Sequence, residues 1–234
     1  MSDFETEEAF PIFPVFLLVD VSGSMSGSAI DAVNTFLPEL KEAIRSDPTV
    51  GEIARIAIIA FGEGARSELA LCDLAYADLP TLRAEGAYTD FTAAFDVTKR
   101  EIEDEIRGLG RGTKFHRPVV FFISDGQFNP PASAPSDWNG AHDALVDKNW
   151  KFRPEIVAFG FGEANQSEIQ RIATRHAFFA NDDDPVAAVR EIMKTIIGTI
   201  KVTTRSLRED QGGLIVRPSD PNRFTVLPVQ TVDD

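Results

Sequence analysis

The stretch from Phe13 to Gly27, FPVFLLVDVSGSMSG, constrains this chain more than any other. Val15 to Val19 form an unbroken apolar run of β-branched and bulky residues. A run that short, closed by Gly and Ser, fits a strand buried on both faces, as in a parallel sheet. It ends at Asp20, and Ser22 and Ser24 follow at alternate positions, with Gly23 between them where the backbone must turn. One carboxylate and two hydroxyls therefore stand just past the carboxyl end of a strand, where open α/β sheets place their ligands. Hard oxygen donors with no Cys or His nearby suit Mg²⁺ or Mn²⁺ better than zinc. The same residue types also make ordinary turns and helix N-caps, so the string alone does not decide. A serine nucleophile is excluded, because a nucleophile elbow needs G-x-S-x-G and Met25 holds its central position.

Two later segments decide in favour of a site. Gly86-Ala87-Tyr88-Thr89-Asp90 is a loop that enters the helical pattern Phe91, Phe95, Thr98, Ile102, Ile106. Val119 to Ile123 is a second buried-strand run, ending in Ser124-Asp125-Gly126. A strand with Asp-x-Ser-x-Ser, a loop Thr before a helix, then a strand with Asp-Gly resembles the von Willebrand factor A domains and their metal-ion-dependent adhesion site. The resemblance covers about residues 13 to 201. It implies that Asp20, Ser22, Ser24, Thr89 and Asp125 surround one divalent cation, Mg²⁺ or Mn²⁺. One difference is that Ala87-Tyr88 precede the threonine, where the family often has a glycine pair.

The motif DVSGSMSG near the N-terminus, VSGSMSGSAIDAVN entering the first helix and RSDPTVGEIARIAIIAF after it are similar to TerY-type proteins of tellurite-resistance and stress systems. Such relatives are encoded beside a PPM-type protein phosphatase and a protein kinase, so the resemblance implies those partners. It implies binding, not catalysis: a partner's Glu or Asp would replace a water on the cation, and no enzyme activity is expected. The competing class is a Mg²⁺-dependent phosphohydrolase with Asp20 as nucleophile. Such enzymes usually carry a second acid two residues on, where this chain has Ser22, and no Lys stands near the motifs. A third reading is a scaffold acting through its acidic surface and tail.

At 234 residues the chain has room for one large domain and needs no disulfide to stabilise it. Cys72 is the single cysteine, which fits a reducing cytoplasm, and its alternating neighbours suggest a packed small hydrophobe. The start, MSDFETEEAF, lacks the cationic beginning and apolar core of a signal peptide, so a soluble cytoplasmic protein is expected. The net charge of −14 disfavours binding to phosphate backbones, and most of it is expected to be a solvated surface. GLGRGTK at 108–114 lies after a helix and before a strand, the reverse of a phosphate loop.

The remaining pattern predicts an α/β, Rossmann-like, doubly wound sheet, mostly parallel with one antiparallel edge strand. Helices are expected over Ser28–Arg45 (with Pro38 inside), Asp90–Leu109, Trp138–Asn149, Ser167–Arg175 capped by Ser167, and Val186 to about Lys201. Further strands are expected over Ile53–Phe61, Ser67–Leu74 as the antiparallel edge, Arg153–Gly160 and Ala177–Ala180. Phe128 in the loop after Asp125 reads equally as a partner contact or a tucked side chain. Asp182-Asp183-Asp184 reads as a helix start and not a second metal site, and His116, His142 and His176 have no ligand spacing. The domain is therefore placed at 13–201. Residues 202–234 form an extension in which Leu214–Pro218 and Arg223–Leu227 are expected to make a short β-hairpin.

Overall fold

The computed structural model describes residues 10–209 and 211–229. The acidic start before Phe10 and the last residues of the extension lie outside them. The first strand, β1 (Phe13–Asp20), is followed by α1 (Ser28–Arg45), a short α2 (Pro48–Ile53), β2 (Ala54–Phe61) and β3 (Ala65–Cys72). Then come α3 (Phe91–Gly108), β4 (Val119–Ser124), α4 (Asn139–Leu145), β5 (Glu155–Gly160), α5 (Gln166–Ile172), β6 (His176–Ala180), α6 (Pro185–Arg208) and β7 (Phe224–Leu227). The seven strands are ordered β3-β2-β1-β4-β5-β6-β7, with β3 and β7 antiparallel to their neighbours and the rest parallel.

The unbroken apolar runs are explained by the two-sided core. Val15, Leu17 and Val19 of β1 pack on one face with α1, α2 and α6. Phe16 and Leu18 pack on the other with α3, α4 and α5. Strand side chains alternate between faces, so a strand covered by helices on both sides must be apolar at every position. The second face is rich in aromatic rings. Phe91 meets Phe61, Phe122 and Trp138 with centroids 6.0, 5.4 and 6.0 Å away, all edge to face.

Strand order reverses at β1. The chain leaves β1 through α1 to reach β2 on one side, and returns through α3 to place β4 on the other. The carboxyl ends of β1 and β4 therefore part around a crevice, the position that open sheets use for ligands. Asp20 ends β1, and Ser124-Asp125 ends β4.

Several expectations are corrected. A short α2 lies where only a helix end was expected, because Asp47 caps it and Pro48 stands at its first position. The first helix begins where expected, at Ser28, and Gly27 at φ +81° is its N-cap. The fifth helix is capped by Asn165, whose side chain accepts from the Ser167 amide, so Ser167 lies inside the helix. The last helix continues seven residues past 201, to Arg208.

The expected hairpin is absent. Phe224–Leu227 joins the sheet beside β6 as a second antiparallel edge. Leu214–Pro218 instead lies along α6. The Thr203 hydroxyl accepts from the Ile215 amide (3.0 Å), and the Thr195 hydroxyl accepts from the Ser219 amide (3.1 Å). Buried helix hydroxyls thus supply partners that a second strand would have supplied.

Candidate metal centre

Val21 and Met25 are buried and pin the loop after β1, while Asp20, Ser22 and Ser24 turn to the other side of it. A single 3₁₀ turn over Gly23–Met25 sets the spacing. Asp20 is fully buried. Its Oδ1 accepts from the Ser22 amide (2.8 Å) and its Oδ2 from the Ser124 hydroxyl (2.6 Å). Ser24 Oγ donates to Asp125 Oδ1 (2.7 Å), which leaves Ser22 Oγ as donor to Ser24 Oγ over 3.1 Å.

Thr89 comes from the loop before α3. Its amide donates to the Asn129 carbonyl (2.8 Å) and its carbonyl accepts from the Asn129 amide (3.0 Å). This two-residue bridge ties the Thr89 loop to the loop after β4. Asp90 follows as the N-cap of α3, accepting from the Thr92 and Ala93 amides. A Cβ placed on Gly126 would stand 3.5 Å from Thr89 Oγ1, 3.6 Å from Ser24 Oγ and 3.7 Å from Asp20 Oδ2. Glycine thereby leaves open the small space onto which these oxygens converge. All five sequence-predicted residues are brought together.

Burial disfavours the charged form of both carboxylates. Burial raises the Asp20 carboxyl to about 6, against hydrogen bonds from Ser124 and Ser22 that pull it down, and the neighbouring Asp125 adds to the rise. Burial also raises Asp125, partly offset by the Ser24 hydrogen bond. The donor set contains only oxygen atoms, and its hydrogen-bonded pairs are 2.7–3.1 Å apart. Hard oxygen donors of this kind would suit Mg²⁺ or Mn²⁺. Among the described residues no group of three or more His, Cys, Asp or Glu side chains could hold a metal. This centre has two carboxylates and three hydroxyls, and fits the residues without such a group.

The three hydroxyls of Ser22, Ser24 and Thr89 open into a depression of about 680 Å³ lined also by Ala87, Gln127, Phe128, Asn129 and Glu163, with Asp20 and Asp125 buried beneath it. No Lys, Arg, His or Cys is among its lining residues. Phe128 is half-buried, its ring 5.7 Å from Phe91, and its amide donates to Glu168 (3.1 Å), so it is a tucked side chain. Ser124 and Gly126 complete the centre and were not singled out from sequence. Their signal was the sequence SDG itself, in which the residue before the acid faces β1. The acidic cluster lies elsewhere: Asp184 caps α6 and Asp182 pairs with Arg223 at 2.7 Å. His142 is buried with Nε2 3.0 Å from the Ile172 carbonyl.

No curated protein matches the sequence. Solved structures do. Proximal thread matrix protein 1 from the mussel byssus, with a zinc-occupied MIDAS motif, superposes with a TM-score of 0.57 at 17% identity, over 83% of this chain and 49% of that one. A von Willebrand factor type A protein from Catenulispora acidiphila gives 0.56 at 17%, over 81% and 43%. The pilus adhesin SpaC from Lactobacillus rhamnosus GG gives 0.59 at 13%, over 82% and 31%. At these identities the likeness is one of fold, and the chain spans about half the length of the first of these proteins or less. Residues 15–127, which include all five candidate ligands, match the family described as von Willebrand factor type A domain. Together with that partial match, the seven-stranded, mostly parallel sheet with flanking helices has the Rossmann-like fold of von Willebrand factor type A domains.

Proposed function

We propose that this domain is a metal-dependent protein-interaction module in which Asp20, Ser22, Ser24, Thr89 and Asp125 hold Mg²⁺ or Mn²⁺. The observation that carries the reading is the convergence of these five side chains at the switch point of the sheet, two of them carboxylates raised by burial. The bound cation supplies a Lewis-acidic position open towards the depression. The chain's own residues hold that position: Ser124 keeps Asp20 oriented, and Ser24 does the same for Asp125. With Asp20 and Asp125 holding the cation partly through waters and three neutral hydroxyls as the other donors, the cation would stay electrophilic towards a Glu or Asp from a partner. A carboxylate bound there in a desolvated contact contributes both affinity and specificity. The depression has no cationic or imidazole side chain to stabilise a transferring phosphate, which supports binding over phosphoryl transfer; Glu163 is the ionisable residue on its rim.

The finer reading is a module of a bacterial stress-response or phosphoregulatory system of the tellurite-resistance kind, acting in the cytoplasm with a PPM-type phosphatase and a protein kinase as partners. It rests on the resemblance of DVSGSMSG and the segment after it. No helix among the described residues is long and apolar enough to cross a membrane. A pull-down from the native host, comparing wild type with Asp20→Ala in Mg²⁺ and in EDTA, tests both levels. Proteins recovered only by wild type in Mg²⁺ are expected, with a phosphatase or kinase among them. Identical sets in all four conditions would overturn the metal reading.

A further inference from the structure

The loop that delivers Thr89 is held at four points. Three are backbone pairings: the Glu85 amide to the Val21 carbonyl (2.9 Å), Thr89 with Asn129 in both directions, and the Asp90 amide to the Gly62 carbonyl (2.7 Å). The fourth is made by side chains, and it falls at Ala87. Glu63 Oε1 accepts from the Ala87 amide (3.1 Å), and Asn129 Nδ2 donates to the Ala87 carbonyl (3.2 Å). Ala87 is one of the two residues, with Tyr88, that stand where the family often has a glycine pair.

Glu63 also backs the neighbouring residue. Gly86 has φ +82°, and a Cβ there would lie 2.8–2.9 Å from Cγ, Cδ and Oε1 of Glu63. On its other side, a Cβ on Gly23 would collide with the Gly86 carbonyl oxygen. Gly23, Gly86 and Glu63 thus lie in succession, with the Gly23–Gly86 approach too close for any side chain at Gly23. Gly23 lies between Ser22 and Ser24, and Gly86 is three residues before Thr89. The succession links the serine loop to the threonine loop through Gly86.

We propose that Glu63, from the β2–β3 turn, is a positioning residue for the metal centre, with Asn129 as its counterpart on the opposite side of Ala87. Glu63 acts through Gly86 and Ala87 and does not itself touch the cation. The inference rests on the metal reading above and adds to it a residue outside the five-part motif. Residues that orient ligands typically change metal affinity about 10–100-fold when removed. Glu63 is exposed and belongs to a surface turn, so its truncation leaves the core intact.

The test is calorimetric titration of Mg²⁺ and Mn²⁺ into the metal-free full chain, with the melting temperature of the metal-free form measured alongside. Glu63→Ala is expected to weaken Mg²⁺ binding about tenfold with the metal-free melting temperature unchanged. Glu63→Gln retains an acceptor for the Ala87 amide and is expected to stay within about threefold of wild type, which separates positioning from the loss of a nearby charge. Asn129→Ala keeps the backbone bridge to Thr89 and is expected to fall between the two. Wild-type affinity in Glu63→Ala would overturn the role of Glu63 and leave the metal reading standing. Equal weakening in Glu63→Ala and Glu63→Gln would overturn positioning in favour of simple charge attraction. A wild type that takes up neither ion would overturn the metal reading, and this inference with it.

Discussion

Ser124 donates its hydroxyl to Asp20 Oδ2 over 2.6 Å, joining the carboxyl ends of the two central strands inside a fully buried pair. The same oxygen accepts from the Gly126 amide at 3.1 Å, so one serine orients a carboxylate and holds the turn that carries Asp125. Replacing Ser124 with Ala removes the strongest hydrogen bond that favours ionised Asp20. Mg²⁺ affinity at neutral pH is expected to fall about tenfold in Ser124→Ala and to be largely kept in Ser124→Thr, by calorimetric titration.

Gly126→Ala separates fold from metal binding. The added methyl would meet Thr89, Ser24 and Asp20 oxygens at 3.5–3.7 Å, ordinary contact distances that the metal-free fold tolerates. The methyl occupies the space onto which those oxygens converge. The melting temperature without metal is therefore expected to stay near that of wild type, while the rise produced by Mg²⁺ disappears.

The pH dependence follows from Asp20, whose carboxyl rises from 3.8 to about 6 on folding. Between those values the folded state binds more protons than the unfolded one. Its contribution to stability is present below 3.8 and is lost as pH rises through 6 in the metal-free protein. At about 1.4 kcal/mol per unit this amounts to roughly 3 kcal/mol. Asp20→Asn is expected to remove that part of the slope, making the metal-free variant more stable than wild type above pH 6 and insensitive to Mg²⁺. Proton and cation compete for the same carboxylate, so the stabilisation of wild type by Mg²⁺ is expected to shrink as pH falls below 6. Thermal melts with and without Mg²⁺ across this range check both.

Phe91 joins the site to the core, with its ring centroid 5.7 Å from Phe128 at the metal face and 5.4 Å from Phe122 in the sheet. Phe91→Ala is expected to cost about 3–5 kcal/mol in chemical denaturation. It should also loosen the Phe128 loop, visible as faster amide exchange at Phe128, whose amide is bonded to Glu168.

Most of the parallel sheet was legible because Val15–Val19 and Val119–Ile123 are apolar at every position, a pattern that two covering layers require. The helix over Ser28–Arg45 matched its apolar spacing and runs through Pro38. Segments whose pairing depends on distant side chains were not legible. The continuation of α6 past 201 reads VTTRSLR, without an apolar period, yet Thr203 and Thr204 are fully buried. Phe224–Leu227 pairs with β6, some 45 residues earlier, while Leu214–Pro218 is claimed by hydroxyls of α6. Short apolar runs near each other suggest a hairpin when no other partner is visible.

The sequence by itself determined the doubly wound architecture and the identity of the five convergent side chains. Strand periodicity and the local geometry of Asp-x-Ser-x-Ser are properties of neighbouring residues. Only the tertiary structure decided that Ser124 buttresses Asp20 across 104 positions, that Gly126 keeps the space between the oxygens open, and that Glu63 and Asn129 grip Ala87 from opposite sides. Those contacts arise where loops from separate strand ends meet, and their distances are set by the packing of the sheet and not by any local pattern in the chain.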